Sequence, residues 1–326
     1  MEPRTSVATS GTGIGSSGSP SASGPEATRA LRRYARITRL ALWALALIVV
    51  TGGAVRLTGS GLGCSDWPAC ENDRLVASLE FHPLVEFVNR LFTGVVSVAV
   101  AAAVLFAHRL RPRRRDLVWL AWGLVAGVVG QIVLGGLLVL AELDPRFTIG
   151  HFLLSMVLVA NAVVLDVRSR RPAPGTAPVG GKVSDTALAR LVTAVTVVGT
   201  ALLVTGTIVT GTGPHGGDDR AARLPFRITE VARIHSLTAI GLLALTALVW
   251  HRARRVGRAD LSGGARLLAG LLVVQGAVGY LQYFTGVPVV LVGIHIALAT
   301  ATWIAVVRLH LSAGPRRTPD PVPAAP

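Results

Sequence analysis

Aromatic residues, cysteines and charged residues are all scarce in this sequence of 326 residues, and each scarcity narrows the class of protein. Aromatic residues make up 5% of the chain. No basic cluster is interleaved with them, so the net charge of +15 does not indicate nucleic-acid binding. The two cysteines lack a nearby second Cys or His pair and do not have the usual zinc spacing. Charged residues make up 15% and hydrophobic residues 51%, which predicts a polytopic membrane protein in a lipid bilayer.

The hydrophobic residues fall in eight blocks, each long enough to cross a bilayer as an α-helix of about 20 residues. The sequence therefore predicts an all-α fold with eight transmembrane helices. The predicted spans are residues 38–58, 84–107, 117–140, 148–166, 188–210, 228–250, 266–285 and 289–309.

Basic residues concentrate in alternate loops, and this indicates how the spans are oriented. Dense clusters lie at 109–115, 168–171 and 252–258; cytoplasmic loops are enriched in Lys and Arg, so both termini are predicted to be cytoplasmic. Residues 1–35 are predicted to form a disordered cytoplasmic tail, since they begin with a Ser/Gly-rich stretch that lacks the apolar segment of a secretory signal. We expect a multi-pass protein of a prokaryotic plasma membrane; the alternative is the mitochondrial inner membrane.

The first outer loop carries both cysteines, in Cys64-Ser65-Asp66-Trp67-Pro68-Ala69-Cys70. In an oxidising compartment the two form a disulfide or a redox-active pair; a metal site is the alternative. A Gly/Thr/Ser-rich run from 51 to 63 precedes the loop and has two interpretations. It is either a helix end packed closely on a neighbour, or a backbone-rich lip over a ligand site where Arg56 binds a carboxylate.

An ionisable pair, Glu86 and Arg90, lies inside the second predicted span. A charge within a membrane costs about 2.5–3.5 kcal/mol on insertion scales, so such residues usually face a bundle interior and mark function. Glu86 and Asn89 are three residues apart and share one helix face. Glu86 is a candidate general base or cation-stabilising group; the alternative is that it pairs with Arg90 only to permit burial.

The two halves of the chain contain an internal repeat. At an offset of 144 residues, Gln131, Gly135 and His151 recur as Gln275, Gly279 and His295, and Asn89 recurs as His235 at an offset of 146. Each half has four spans and starts on the same side, so the repeats are parallel. We predict two pseudo-symmetric four-helix bundles, 36–170 and 188–310, with a Pro/Gly-rich linker at 171–187 and a cytoplasmic tail at 311–326.

Three of the eight histidines lie within spans near the outer ends, namely His151, His235 and His295. His235 lies about 10 Å, and His295 about 9 Å, along helices that both run inward, so their imidazoles share one depth. Two such imidazoles suit a b-type haem ligated from both faces; a hydrogen bond to a neighbouring helix is the alternative for a single histidine. The repeat predicts a second site formed by Asn89 and His151, with Arg90 available to a haem propionate.

Several segments together point to one family. They are Gly52 to Leu62, Cys64-x-Asp66-Trp67-Pro68-x-Cys70, Glu86-x-x-Asn89-Arg90, Gly150-His151-Phe152, Ile234-His235 and Ile294-His295. With these segments the sequence resembles the haem A synthases, the cytochrome oxidase assembly proteins of that activity. The resemblance covers about residues 36–310 and is most specific in the glycine-arginine segment and the cysteine loop.

The resemblance implies an oxidoreductase that converts the C8 methyl group of haem O to a formyl group, giving haem A for cytochrome oxidase, with oxygen from water. It implies that His235 and His295 ligate a haem b in the second half, while the first half holds the substrate haem. Glu86 would be the catalytic carboxylate, and Cys64 and Cys70 the outer-loop pair. The implied partners are haem O synthase, a farnesyltransferase, the assembly of cytochrome oxidase, and an unnamed electron acceptor.

Asn89 departs from the family motif, which generally has a histidine at this position. His151 is then the only evident axial ligand in the first half, and a five-coordinate iron suits oxygen chemistry or substrate exchange. The alternative function is a membrane cytochrome b that passes electrons from quinone without porphyrin chemistry. A third hypothesis is a transporter built from parallel repeats, which predicts no haem absorption.

Overall fold

The computed structural model describes residues 25–70, 74–171 and 185–313. Within these ranges the chain folds into eight α-helices without a β-strand, and every helix is long and apolar enough to cross a membrane. The prediction of an all-α protein with eight spans is therefore confirmed. The helices are α1 (Pro25–Leu57), α2 (Phe81–Arg109), α3 (Arg115–Leu140), α4 (Pro145–Ser169), α5 (Thr186–Thr212), α6 (Ile228–Arg255), α7 (Ala259–Phe284) and α8 (Val289–Ser312).

Helix α1 begins well before the first predicted span. Residues 25–35 belong to the predicted disordered tail, but they are helical. Pro25 suits the first position of a helix and Glu26 suits its first turn, and Tyr34 is fully buried in the core, so packing extends past the charged turns. Residues 1–24 of the predicted tail, most of the 171–187 linker and residues 314–326 lie outside the described residues.

The helices form two rings of four. In the first ring, α1 and α3 each pack against both α2 and α4; in the second, α5 and α7 each pack against both α6 and α8. Within the described ranges, the backbones of the opposite helices α2 and α4 do not come close together, and neither do those of α6 and α8. Each ring therefore has an interior that side chains from opposite helices face.

Each ring has its own apolar core, and the two cores meet at α8. Val307 of α8 packs within the first core. Trp303 Nε1 donates a hydrogen bond of 2.8 Å to the Met156 carbonyl. Large buried leucines contribute to both cores: Leu42, Leu117, Leu124 and Leu165 in the first ring, and Leu188, Leu242, Leu268 and Leu309 in the second.

The two ends of the helix bundle differ in their loops. We call the end that carries the loop from 58 to 80 the disulfide end, and the opposite end, where α1 begins and α2 ends, the basic end. At the disulfide end Asp144 caps α4, because its Oδ1 accepts a 2.8 Å bond from the Arg146 backbone N–H. The Arg146 guanidinium also holds the pKa of Asp144 at about 2. The cap fixes the start of α4 and thereby the position of His151, two turns into the helix.

Candidate functional site

Glu86 lies on α2, is only 6% exposed, and has both carboxylate oxygens bonded. Its Oε2 accepts a 2.8 Å hydrogen bond from the Cys64 backbone N–H. Its Oε1 accepts two bonds from Arg90, of 2.6 Å from Nη2 and 3.1 Å from Nε. A carboxylate with charge-assisted donors in a buried position is strongly oriented.

Arg90 joins Glu86 to the loop at the disulfide end. Besides the carboxylate, Arg90 Nη1 donates to the Ala69 carbonyl at 2.9 Å and to the Asp66 carbonyl at 3.3 Å. The guanidinium thus satisfies a carboxylate and two loop carbonyls together, which a lysine ammonium does not match in geometry. Arg90 therefore supports burial of Glu86, as one sequence hypothesis stated, and also positions the loop.

The loop is closed by a disulfide between Cys64 and Cys70, which decides between the predicted alternatives of disulfide and metal pair. Gly63 allows the loop to reach α2: a Cβ at this position would lie 2.3 Å from the His82 carbonyl oxygen. Only glycine permits such an approach of two backbones. The approach brings the Cys64 N–H to Glu86.

Asn89 lies one turn from Glu86 on α2 and bonds to α1. Thr51 Oγ1 donates a hydrogen bond of 2.8 Å to Asn89 Oδ1. Asn89 and His151 belong to the opposite helices α2 and α4, and among the described contacts no hydrogen bond joins them. The structure thus places the two predicted partners on opposite helices of the first ring, without a hydrogen bond between them among the described residues.

His151 is held through its backbone, while its ring is left available. Gln131 Nε2 donates to the His151 carbonyl at 3.0 Å and to Ser155 Oγ at 2.8 Å. In the part of the chain that the structure describes, His151 Nδ1 is buried without a hydrogen-bond partner. A buried ring nitrogen in this state is a suitable ligand for a bound group.

His235 and His295 come together in the interior of the second ring. Their ring centroids are 6.4 Å apart, although their helices α6 and α8 are opposite members of the ring. His295 Nδ1, like that of His151, has no partner among the described residues, and Gln275 Nε2 donates to the His295 carbonyl at 3.1 Å. The two Gln–His pairs of the repeat therefore make the same backbone contact.

Thr205 of α5 fixes the tautomer of His235. Thr205 Oγ1 donates to the Leu202 carbonyl at 3.1 Å and lies 3.1 Å from His235 Nδ1. Because a hydroxyl has one proton, we assign the second contact as a bond donated by His235 Nδ1–H, which leaves the lone pair on Nε2. This is the tautomer of a histidine that binds a metal through Nε2.

Two glycines give the paired imidazoles their space. A Cβ at Gly206 would lie 3.0 Å from His235 Cε1, and a Cβ at Gly279 would lie 3.2 Å from His295 Cε1. Both distances are shorter than ordinary van der Waals contacts, so a larger residue would push the rings. Gly279 belongs to the predicted repeat, whereas Gly206 and Thr205 were not identified from the sequence.

Arg56 connects the two rings at the disulfide end. Its Nε donates to the His215 carbonyl at 2.7 Å, and its Nη2 donates to the Thr210 carbonyl at 3.0 Å. Gly61 N–H donates to the Gly217 carbonyl at 2.9 Å beside it. In these contacts the guanidinium faces backbone carbonyls rather than a side-chain carboxylate, so the close-packing interpretation of this segment accounts for them.

Known proteins match part of the chain. A sequence profile for a family described as cytochrome oxidase assembly protein, COX15-CtaA, matches residues 35–215. The chain is 34% identical to a heme A synthase of Geobacillus thermodenitrificans over 149 residues, which are 44% of this chain and 46% of the relative. It is 32% identical to a heme A synthase of Geobacillus kaustophilus over 130 residues, 38% of this chain and 40% of the relative. The chain thus spans less than half the length of these curated relatives, and the family match ends before His235.

Proposed function

Since the chain belongs to the cytochrome oxidase assembly protein family, COX15-CtaA, we propose that it is a haem A synthase. It would oxidise the C8 methyl group of haem O to a formyl group, with oxygen from water, and supply haem A to cytochrome oxidase. The observation that carries the proposal is the buried carboxylate of Glu86, fixed by Cys64 and Arg90 inside the first ring. This carboxylate lies within the family match, and ionisable residues inside membrane segments are costly and usually mark function.

The first ring, within the proposed substrate half at 36–170, would hold haem O. His151, whose Nδ1 is buried without a hydrogen-bond partner among the described residues, would hold this haem, and Asn89, bonded to Thr51, would supply no second imidazole. Glu86 would accept protons from the methyl carbon as electrons leave, or stabilise positive charge there. The disulfide loop above Glu86 would exclude bulk water, which strengthens the effect of a fixed carboxylate.

The second ring, within 188–310, fits a haem b. Its interior brings the imidazoles of His235 and His295 to a centroid separation of 6.4 Å, and Thr205 leaves a lone pair on His235 Nε2. These two histidines would hold the haem through their ring nitrogens. When bound, haem b would supply a one-electron redox centre that passes electrons toward an acceptor.

We further propose that this is a prokaryotic plasma-membrane protein, because its eight apolar helices accompany relatives from bacteria. Haem O synthase would hand over the substrate. A membrane cytochrome b without porphyrin chemistry is the second candidate, favoured by the paired histidines that lie outside the family match. It gives no role to Glu86 or to the bonds that orient it.

Coexpression with haem O synthase in a host that lacks haem A tests the proposal. We expect extracted pigments to contain haem A only when this chain is present, and the purified protein to absorb as a b-type cytochrome. Unchanged haem O together with a b-type spectrum would favour the cytochrome b. A purified protein without any Soret band would favour the transporter hypothesis.

A further inference from the structure

A cavity lies at the basic end of the first ring, far along the helices from Glu86. It has a volume of about 310 Å³ and lies between the first turns of α1 and the last turn of α2. Its lining is strongly basic and partly aromatic: Arg29, Ala30, Arg33, Tyr34, Phe106, Arg109 and Leu110. None of these residues has a part in the proposed haem chemistry.

Two guanidinium groups share one aromatic ring in this cavity. Arg33 Cζ lies 4.8 Å, and Arg109 Cζ 5.5 Å, from the centroid of Phe106. A cation gains from the face of an aromatic ring, but the two positive charges repel each other. Such an arrangement favours an anion between them.

The lining arginines differ from those arginines of the basic end that pair with a carboxylate. Arg114, Arg170 and Arg258 each pair with a carboxylate. In residues 25–70, 74–171 and 185–313, no ion pair involves Arg29, Arg33 or Arg109. The protein therefore leaves three guanidinium groups around one cavity without a carboxylate of its own.

Tyr34 gives independent support for a ligand. It lines the same cavity and is 0% exposed, yet its hydroxyl has no hydrogen-bond partner among the described residues. Buried polar groups are nearly always bonded, and an unsatisfied hydroxyl is costly. An oxyanion in the cavity would satisfy it.

The depth of the cavity identifies the source of the anion. The apolar stretch of α1 begins near residue 38, so Arg33 lies about 7 Å beyond it, and Arg109 lies about 3 Å beyond the stretch of α2 that ends near 107. The polar headgroup layer occupies about 5–7 Å on each side of the hydrocarbon. The part of the cavity between Arg33 and Arg109 therefore lies at the level of lipid phosphates.

We propose that this cavity binds the phosphate headgroup of an anionic phospholipid. Arg29, Arg33 and Arg109 would surround the phosphate, since a guanidinium offers donors that match a phosphate group. The Tyr34 hydroxyl would donate a further bond from the buried side. Basic cavities between membrane helices commonly recognise lipid headgroups in this manner.

Native mass spectrometry of the purified full-length protein tests the proposal, with phosphatidylglycerol, phosphatidylcholine and inorganic phosphate as separate probes. Arg33→Gln/Arg109→Gln should weaken phosphatidylglycerol binding about tenfold or more, because each arginine near the membrane surface adds to the electrostatic attraction for an anionic lipid. The matched control, Arg32→Gln/Arg36→Gln, removes the same charge from exposed positions of α1 outside the cavity and should change affinity less than about twofold. Tyr34→Phe keeps the packed ring and should weaken binding a few-fold.

The outcomes separate the sources of the anion. Equal loss in both double variants would mean diffuse surface attraction and would overturn the proposal, as would equal binding of phosphatidylcholine. Saturable binding of inorganic phosphate without competition from phosphatidylglycerol would assign the cavity to a free anion instead. If the double variant does not fold, as judged by thermal melting, an unchanged affinity in Tyr34→Phe would still reject the proposed headgroup contact.

Discussion

The Cys64 backbone N–H donates a hydrogen bond of 2.8 Å to Glu86 Oε2. The carboxylate on which the proposed chemistry depends is thus oriented by a loop that a disulfide closes. Arg90 bonds to both the carboxylate and the loop carbonyls. The loop and the carboxylate are therefore held by the same hydrogen bonds. A substitution that moves the loop should alter the position of the Glu86 carboxylate, and a substitution of Glu86 should loosen the loop.

Glu86→Gln should abolish haem O oxidation while haem b stays bound. The amide can still accept a bond from Cys64, but it has no negative charge and does not accept a proton at neutral pH. We expect at least a 100-fold lower rate, as for loss of a general base, measured by pigment extraction. Glu230→Gln, an exposed change on α6, is the control; full activity of Glu86→Gln would reject the role.

Replacing both cysteines, in Cys64→Ser/Cys70→Ser, should loosen the loop. Closing so short a loop typically contributes about 2 kcal/mol, and the N–H bond to Glu86 depends on the loop position. Hydrogen exchange of residues 60–70 should become faster, and haem O conversion should fall. Residues 213–224 serve as an internal reference, and equal exchange in both proteins would show that the hydrogen bonds alone hold the loop.

Asn89→His should create a second pair of imidazoles. Thr51 Oγ1 lies 2.8 Å from Asn89 Oδ1, much as Thr205 Oγ1 lies 3.1 Å from His235 Nδ1. The new imidazole, on the helix opposite His151, would therefore have a comparable hydrogen-bond partner. Electron paramagnetic resonance of protein loaded with haem O should then reveal a second low-spin signal. Asn89→Gln should not produce it, and its absence in Asn89→His would place His151 outside the haem site.

Thr205→Val should lower the affinity of the second ring for haem b. Valine has a similar shape but does not accept the bond from His235 Nδ1–H, and loss of such a supporting contact typically costs 10–100-fold in affinity or activity. Haem titration and the midpoint potential measure the effect. Thr200→Val removes a hydroxyl that donates to the Thr196 carbonyl of its own helix; an equal effect there would make the change nonspecific.

Two glycines three residues apart on α7 form a matched test. Gly279→Ala would place a methyl group 3.2 Å from His295 Cε1, whereas Gly276→Ala meets nothing within 4 Å. The first change should lower the haem-to-protein ratio. The second should retain haem and raise stability by about 0.5–1 kcal/mol, because alanine favours a helix. Equal haem content in both variants would contradict the proposed position of His295.

The eight helices could be predicted because each apolar block is nearly continuous and basic loops separate the blocks. The start of α1 could not, since its arginines resemble a solvated tail and hydropathy does not reveal that Tyr34 is packed in the core. The symmetry of the two halves stays a prediction, although Gln131 and Gln275 make equivalent contacts.

The site was predicted in part. Glu86 and the histidines stand out as polar residues in apolar surroundings, and their catalytic and ligand roles stay proposals. Thr205 is one of many threonines on α5, so only the distance to His235 distinguishes it. The contribution of Gly63 likewise depends on the closeness of two backbones, which a linear pattern does not contain.

Among the residues that the structure describes, the hydrogen bonds from the Arg56 side chain to the second ring go to main-chain oxygens, those of Thr210 and His215. These contacts therefore constrain the backbone path of the segment that contains Thr210 and His215. They do not constrain which side chains stand at these two positions. Substitution should therefore be tolerated at Thr210, provided that the end of α5 is preserved. It should not be tolerated at Arg56, because no other side chain reaches two carbonyls with the same planar fork.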